Sequence, residues 1–150
     1  MNEVVIDASV VLRWAFGDEE DREGASRIAD ALAEGRLRAI APPTFLAEVA
    51  GVLVRALRAG RIDGPLADMV MTALLKIAID ADEPHGYAAS AMGIALAHGL
   101  HVQDAMYLET AQRFGFPLVS ADRDQLEVAG GMRLATIALN DVPAWIPDGP

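Results

Sequence analysis

Short apolar runs alternate with helical stretches along this chain, and no other feature restricts its fold so strongly. Val4-Val5-Ile6 is a β-branched run ending at Asp7 and predicts a buried strand. Leu37 to Ala41, closed by Pro42-Pro43, predicts a second, Ile77-Ala78-Ile79 a third and Pro117-Leu118-Val119 a fourth. Arg133 to Leu139 is the expected fifth. Helical patterns fill the intervals: Ser9 to Phe16, Arg22 to Ala33, Thr44 to Ala59, Asp63 to about Leu75, His85 to His98 and Asp104 to Phe114. Acids at Asp18 to Asp21 suit the start of the second helix. Gly35, Gly60, Gly99 and Gly115 stand where helices should end. Asp63 is placed to cap its helix, with Pro65 in the first turn. The tail, Asn140 to Pro150, carries three prolines and is expected to lie along the surface. Such alternation is the pattern of an α/β sandwich built on a parallel sheet.

The size of the chain, 150 residues, is that of one domain, and no repeat, low-complexity tract or linker divides it. Residues 1–150 are therefore read as a single domain with a tail from about residue 140. A hydrophobic fraction of 53% with 23% charged residues is foldable and excludes wholesale disorder. With 22 acids against 12 lysines and arginines the net charge is −10, so nucleic acid would not be held by bulk attraction. The absence of cysteine removes disulfides, thiolate zinc sites, iron–sulfur clusters and cysteine nucleophiles, and fits a reducing compartment. No membrane span is expected, and the acidic start MNEVVIDASV does not have the form of a secretory leader. The expected location is cytoplasmic.

In open α/β sheets ligands bind at the carboxyl ends of the strands. The two clearest strands end directly in acids, Asp7 and Asp122. Each also stands where an aspartate caps a helix, as does Asp104 after His101-Val102. Glu48 is different: it lies mid-helix among apolar residues, and no base is within reach along the helix. A metal ion or an arginine from elsewhere would offset the cost of burying it. Oxygen ligands without cysteine select hard cations, Mg²⁺ or Mn²⁺, over Zn²⁺. His98 and His101 flank the helix-ending Gly99 and His85 lies in a Pro-His-Gly turn, so a histidine metal site is not expected. Phosphate-binding loops, dinucleotide fingerprints and serine-nucleophile elbows are absent from the sequence.

Asp7-Ala8-Ser9-Val10 with Arg13-Trp14 resembles the opening of VapC-type PIN-domain ribonucleases. Glu48 in an apolar helix, Asp104-Ala105 before Tyr107-Leu108, and Ser120-Ala121-Asp122-Arg123 after a strand resemble the other three motifs, in the same order, from about residue 2 to 140. The resemblance implies a PIN-like three-layer α/β/α sandwich with a short, mostly parallel sheet of four to five strands. It also implies a Mg²⁺-dependent endoribonuclease, the toxin of a toxin–antitoxin pair. By motif, Asp7, Glu48, Asp104 and Asp122 take the catalytic positions, and Asp7, Asp104 and Asp122 are the expected metal ligands, with Asp7 central. Ser9, Ser120 and Asp124 are accessory. Gln103 departs from the aromatic or small residue that many relatives carry there.

A cation held by these acids would give an RNA phosphate local attraction on an acidic protein. Arg13 and Arg123, close in sequence to the acids, are the expected RNA contacts. Arg55, Arg58 and Arg61 stand near a helix end, where cations are favourable for the dipole alone. Expected partners are RNA, a cognate antitoxin and a second copy or hetero-oligomer, the last suggested by apolar helices between Thr44 and Leu75. The alternatives are a PIN-like DNA or structure-specific nuclease, and a non-catalytic acidic α/β binding module whose acids only cap helices.

Overall fold

The buried β-branched run comes first in the chain and ends up near the middle of the sheet. In the computed structural model, which describes residues 2–16, 19–79 and 84–146, β1 (Asn2–Ile6) pairs with β2 (Leu37–Ala41) and β4 (Leu118–Ser120). β3 (Ile77–Ile79) and β5 (Thr136–Ala138) complete the order β3-β2-β1-β4-β5. Every pairing is parallel. Val4, Val5 and Ile6 are wholly buried, each contributing about 1.5–3 kcal/mol. A parallel sheet covered on both faces needs such continuously apolar strands.

Helices α1 (Ala8–Ala15) and α2 (Glu19–Ala33) connect β1 to β2, and α3 (Phe45–Arg58) and α4 (Gly64–Ala73) connect β2 to β3. These four pack on one another. The return from β3 to β4 carries α5 (Pro84–His98) and α6 (Val102–Phe114), and α7 (Arg123–Gly131) joins β4 to β5. Right-handed crossovers place α1–α4 on one face and α5–α7 on the other. The chain therefore reverses its winding between β1 and β4, the position at which doubly wound sheets open a crevice at their carboxyl edge.

Three expectations are corrected. The fifth strand is shorter than Arg133 to Leu139, because Arg133 adopts φ 62° and Leu134 bonds back to Ala129, closing α7 instead of extending the sheet. The tail is not a surface strap. Leu139–Asp141 forms a 3₁₀ turn and Val142–Trp145 a short helix, α8, and Leu139, Val142 and Ile146 are buried in the main core against α2. Pro143, in the first turn of α8, starts the helix instead of preventing one. Glu48 is not mid-helix: α3 begins at Phe45, so Glu48 stands in its first turn, where the helix dipole favours an anion. Pro147 and Pro150 lie outside the described residues.

Candidate active site

Asp7 is the first residue after β1 and the N-cap of α1. Its backbone N–H bonds Val119 O at 3.1 Å, fixing it to β4. The Ser9 N–H donates to Asp7 Oδ2 at 2.9 Å, and Ser120 Oγ and Gln125 Nε2 approach Oδ2 and Oδ1 at 3.4 Å each. Capping α1 therefore does not preclude a site role for this carboxylate. Only 6% of Asp7 is exposed, and burial pushes its carboxyl above the ordinary aspartate range, with the Asp104 charge adding to the effect. The bonds from Ser9 and Gln125 act in the opposite direction.

The two serines stitch the ends of β1 and β4 together. Ser9 Oγ accepts from the Ala121 N–H at 3.1 Å, Ser120 Oγ accepts from the Asp122 N–H at 3.0 Å, and the two hydroxyls stand 3.3 Å apart. Asp122 is the N-cap of α7, its Oδ1 accepting from the N–H groups of Asp124 (3.0 Å) and Gln125 (3.2 Å). Asp124 is exposed, and its backbone, not its carboxylate, makes that link.

Asp104 does not cap α6. The helix starts two residues earlier with His101 at the N-cap, which leaves Asp104 in the first turn. Burial raises its carboxyl pKa, the Asp122 charge raises it further, and His101 lowers it. Three residues on, one turn along α6, the fully buried Tyr107 donates its hydroxyl to Glu48 Oε2 at 2.7 Å. This bond is the partner that Glu48 lacks along its own helix, so the cost of burying Glu48 is met by a phenol. Burial still raises the Glu48 carboxyl, with the Asp7 and Asp104 charges adding to it. Burial and those of Asp7 and Glu48 push Tyr107 far above the ordinary phenol range. It therefore stays protonated and remains a donor at any physiological pH.

Asp104 thus feels the charge of, or acts on, each of Asp7, Glu48 and Asp122, which makes it the electrostatic centre of the four. Among the described residues no three acidic or histidine side chains are drawn close enough to form a closed ligand cage. Asp122 is turned toward the start of α7, its Oδ1 taken by two backbone N–H groups. The donors are oxygens throughout, and that chemistry fits a hard divalent cation.

Gln125 escaped sequence reasoning. It is 2% exposed, and its Nε2 lies 3.4 Å from both Asp7 Oδ1 and the Asp104 carbonyl, joining two of the acids through one amide. Both neighbours are acceptors, which assigns the amide nitrogen to that side. Its Oε1 is buried without a partner among the described residues. The one available signal was its spacing, three residues beyond Asp122 on the same helix face.

Of the arginines expected at the strand, Arg13 is paired with Asp21 at 3.2 Å. Arg123 is exposed and lines a cavity of about 360 Å³ with Ser120, Asp21 and Asn140.

A parallel α/β sandwich with acids placed around the switch point of its sheet defines the class of protein in hand. The sequence matches the PIN domain family over residues 4–131, and the chain belongs to that family, whose members are generally nucleases. No curated protein matches the sequence. Among solved structures, the chain is similar to PAE2754 from Pyrobaculum aerophilum, with 21% identity, 97% of this chain and 95% of that chain covered, and a TM-score of 0.71. It is also similar to FitAcB from Neisseria gonorrhoeae, with 17% identity, 91% and 97% covered, and a TM-score of 0.56. A domain of a functionally unknown protein from Methanocaldococcus jannaschii gives 16% identity, 92% and 91% covered, and a TM-score of 0.55. At these identities the likeness is one of fold. No helix among the described residues is long and apolar enough to cross a membrane.

Proposed function

We propose that this PIN-domain protein is a divalent-metal-dependent endoribonuclease and the toxin half of a toxin–antitoxin pair. The observation that carries the nuclease reading is the placement of the four acids: Asp7 and Asp122 cap the helices that follow β1 and β4, Gln125 joins Asp7 to the Asp104 backbone, and Tyr107, one turn beyond Asp104, holds Glu48. Burial and neighbouring charge raise the carboxyls of Asp7, Glu48 and Asp104, an arrangement unfavourable in an empty fold and favourable around a cation. Asp7, Asp104 and Asp122 would hold Mg²⁺ or Mn²⁺, which supplies Lewis acidity toward the phosphate and its attacking water.

The chain's own residues do the rest. Ser9, Ser120 and Gln125 fix the direction of the Asp7 carboxylate, which stands on the most rigid platform, a central strand end. Glu48, oriented by the Tyr107 hydroxyl, accepts the proton of the attacking water. Its raised proton affinity makes it a more effective base near neutral pH than an ordinary carboxylate. The antitoxin reading rests on the resemblance to VapC-type ribonucleases. Exposed apolar side chains on α3, α4 and the following turn support it, among them Leu57, Met69 and Leu75, the last 84% exposed.

Purified protein should cleave RNA with Mg²⁺ and lose roughly 100-fold or more of that activity in Asp7→Asn, Glu48→Gln and Asp104→Asn. Cleavage that persists in excess chelator, or in all three variants, overturns the mechanism. Preferential cleavage of DNA moves the substrate to the alternative nuclease class. Strong expression without a partner should arrest growth, and unimpaired growth rules out the toxin assignment.

A further inference from the structure

We propose that an arginine-lined cleft beside the acidic site is a subsite for a backbone phosphate of the bound nucleic-acid strand, with Arg55 and Arg61 as its anion-binding groups. The proposal deepens the nuclease reading above and rests on it. The cleft has a volume of about 560 Å³ and runs from Ser9, two residues from Asp7, to Arg61 just beyond α3. Arg13, Arg55 and Arg61 line it and no carboxylate does. On a chain of net charge −10, three of twelve cations around one acid-free cleft make a local positive field where the rest of the surface repels phosphate.

The three arginines are not equivalent. Arg13 has its charge met by Asp21, so it forms wall more than anchor. Arg55 and Arg61 have no carboxylate partner among the described residues, and both are exposed. Arg55 stands in the last turn of α3, where its charge also suits the helix dipole, but its side chain and that of Arg61 are directed elsewhere. Arg55 folds back along the helix, its Nη1 3.6 Å from where a side chain on Gly51 would begin, and so points toward the Glu48 end. Arg55 is seven residues, two turns, beyond Glu48 and shares its face of α3. Arg61 lies with its guanidinium carbon 5.1 Å from the centre of the Phe16 ring. A cation–π contact of this kind positions the guanidinium without using its N–H donors, which can still meet a phosphate. Arg55 points toward the Glu48 end of α3 and Arg61 lies over Phe16, so both charges face one cleft. Arg58, on the same helix, does not line the cleft and is not assigned.

Binding is separated from cutting by working in the full-length Asp7→Asn protein with Mg²⁺, since Asn still caps α1. Anisotropy of a short labelled single-stranded RNA is measured across a salt series, with DNA of the same sequence as a second arm. Arg55→Ala and Arg61→Ala should each reduce the slope of log Kd against log salt by about 0.7, the loss of one single-strand phosphate contact. Arg61→Lys should retain the slope because it retains the charge. Arg38→Ala, on β2 and paired with Glu3 at 3.0 Å, should not change it. Slopes equal to the parent's in both alanine variants, or no binding of either strand, overturn the proposal. The slope loss confined to DNA keeps the phosphate subsite and makes its occupant DNA. A protein that cuts RNA with unmoved slopes keeps the nuclease reading and loses the cleft. One that loses slope but never cuts keeps the cleft and loses the nuclease.

Discussion

At the scale of single residues, the site depends on how each carboxylate is held as much as on its being there. Glu48 and Tyr107 show this best. The hydroxyl donates to Glu48 at 2.7 Å and is the largest influence keeping that carboxyl from rising further. Tyr107→Phe removes the hydrogen while leaving the ring in its buried place. The Glu48 pKa should then move up, and the acid limb of the pH profile of kcat/KM should shift to higher pH. Losing a bond to a charged group should also cost about 1.5–3 kcal/mol of stability, read from urea unfolding. An acid limb that stays in place would show that Glu48 is not the titrating base. The four candidate acids stand out in the sequence because each carries local context: a strand end, a helix start or an isolated charge in an apolar stretch. Their holders do not. Tyr107 is 59 residues from Glu48 and Gln125 is 118 from Asp7, and nothing in either's neighbourhood in the chain marks a partner so distant.

At the scale of elements, strand cores and helix ends follow from short-range chemistry, so β1, β2, β3 and the glycine stops lie where apolar runs and glycines place them. Gly35, Gly60, Gly99 and Gly115 all have φ between 66° and 70°, which side chains resist. The fate of the tail was not legible, because its burial depends on a distant surface. Leu139 packs on α2 at Gly24, where an added Cβ would stand 2.0 Å from the Leu139 carbonyl oxygen. That glycine reads in the sequence as a weak point of a helix and is in fact the seat of the C-terminal segment. Gly24→Ala improves helix propensity by about 1 kcal/mol. It also forces backbone against backbone, and overpacking of this kind costs about 1–3 kcal/mol. The clash should prevail, so the variant should melt lower than the parent in a thermal scan. A higher melting temperature would mean that the tail does not sit on α2 in solution.

At the scale of the whole molecule, four acids lie around the point where the sheet changes winding, and the burial of three of them sets how stability depends on pH and metal. Burial raises the carboxyls of Asp7, Glu48 and Asp104, with neighbouring acids adding to each. A carboxyl raised in the folded state favours folding while protonated. That contribution is whole below the unfolded pKa and is lost as pH rises through the folded one. The metal-free protein should therefore lose stability from the ordinary carboxylate range upward, levelling off once the raised groups have ionised. A cation reverses the loss: with a dissociation constant on the order of 1 mM, about 10 mM Mg²⁺ adds roughly 1.4 kcal/mol. Asp104→Asn tests the coupling at its centre. The change gives up a favourable anion in the first turn of α6, worth about 0.3–1 kcal/mol. It also removes the cost of burying that charge and its repulsion with Asp7, Glu48 and Asp122. Burial, the first cause of the raised Asp104 carboxyl, acts together with the like charges against a single dipole contribution, so the change should be net stabilising. The variant should be more stable than the parent in chelator at neutral pH and should respond less to Mg²⁺. Thermal melts of both proteins, in chelator and in Mg²⁺, decide it: an unchanged Mg²⁺ response in the variant would remove Asp104 from the metal site.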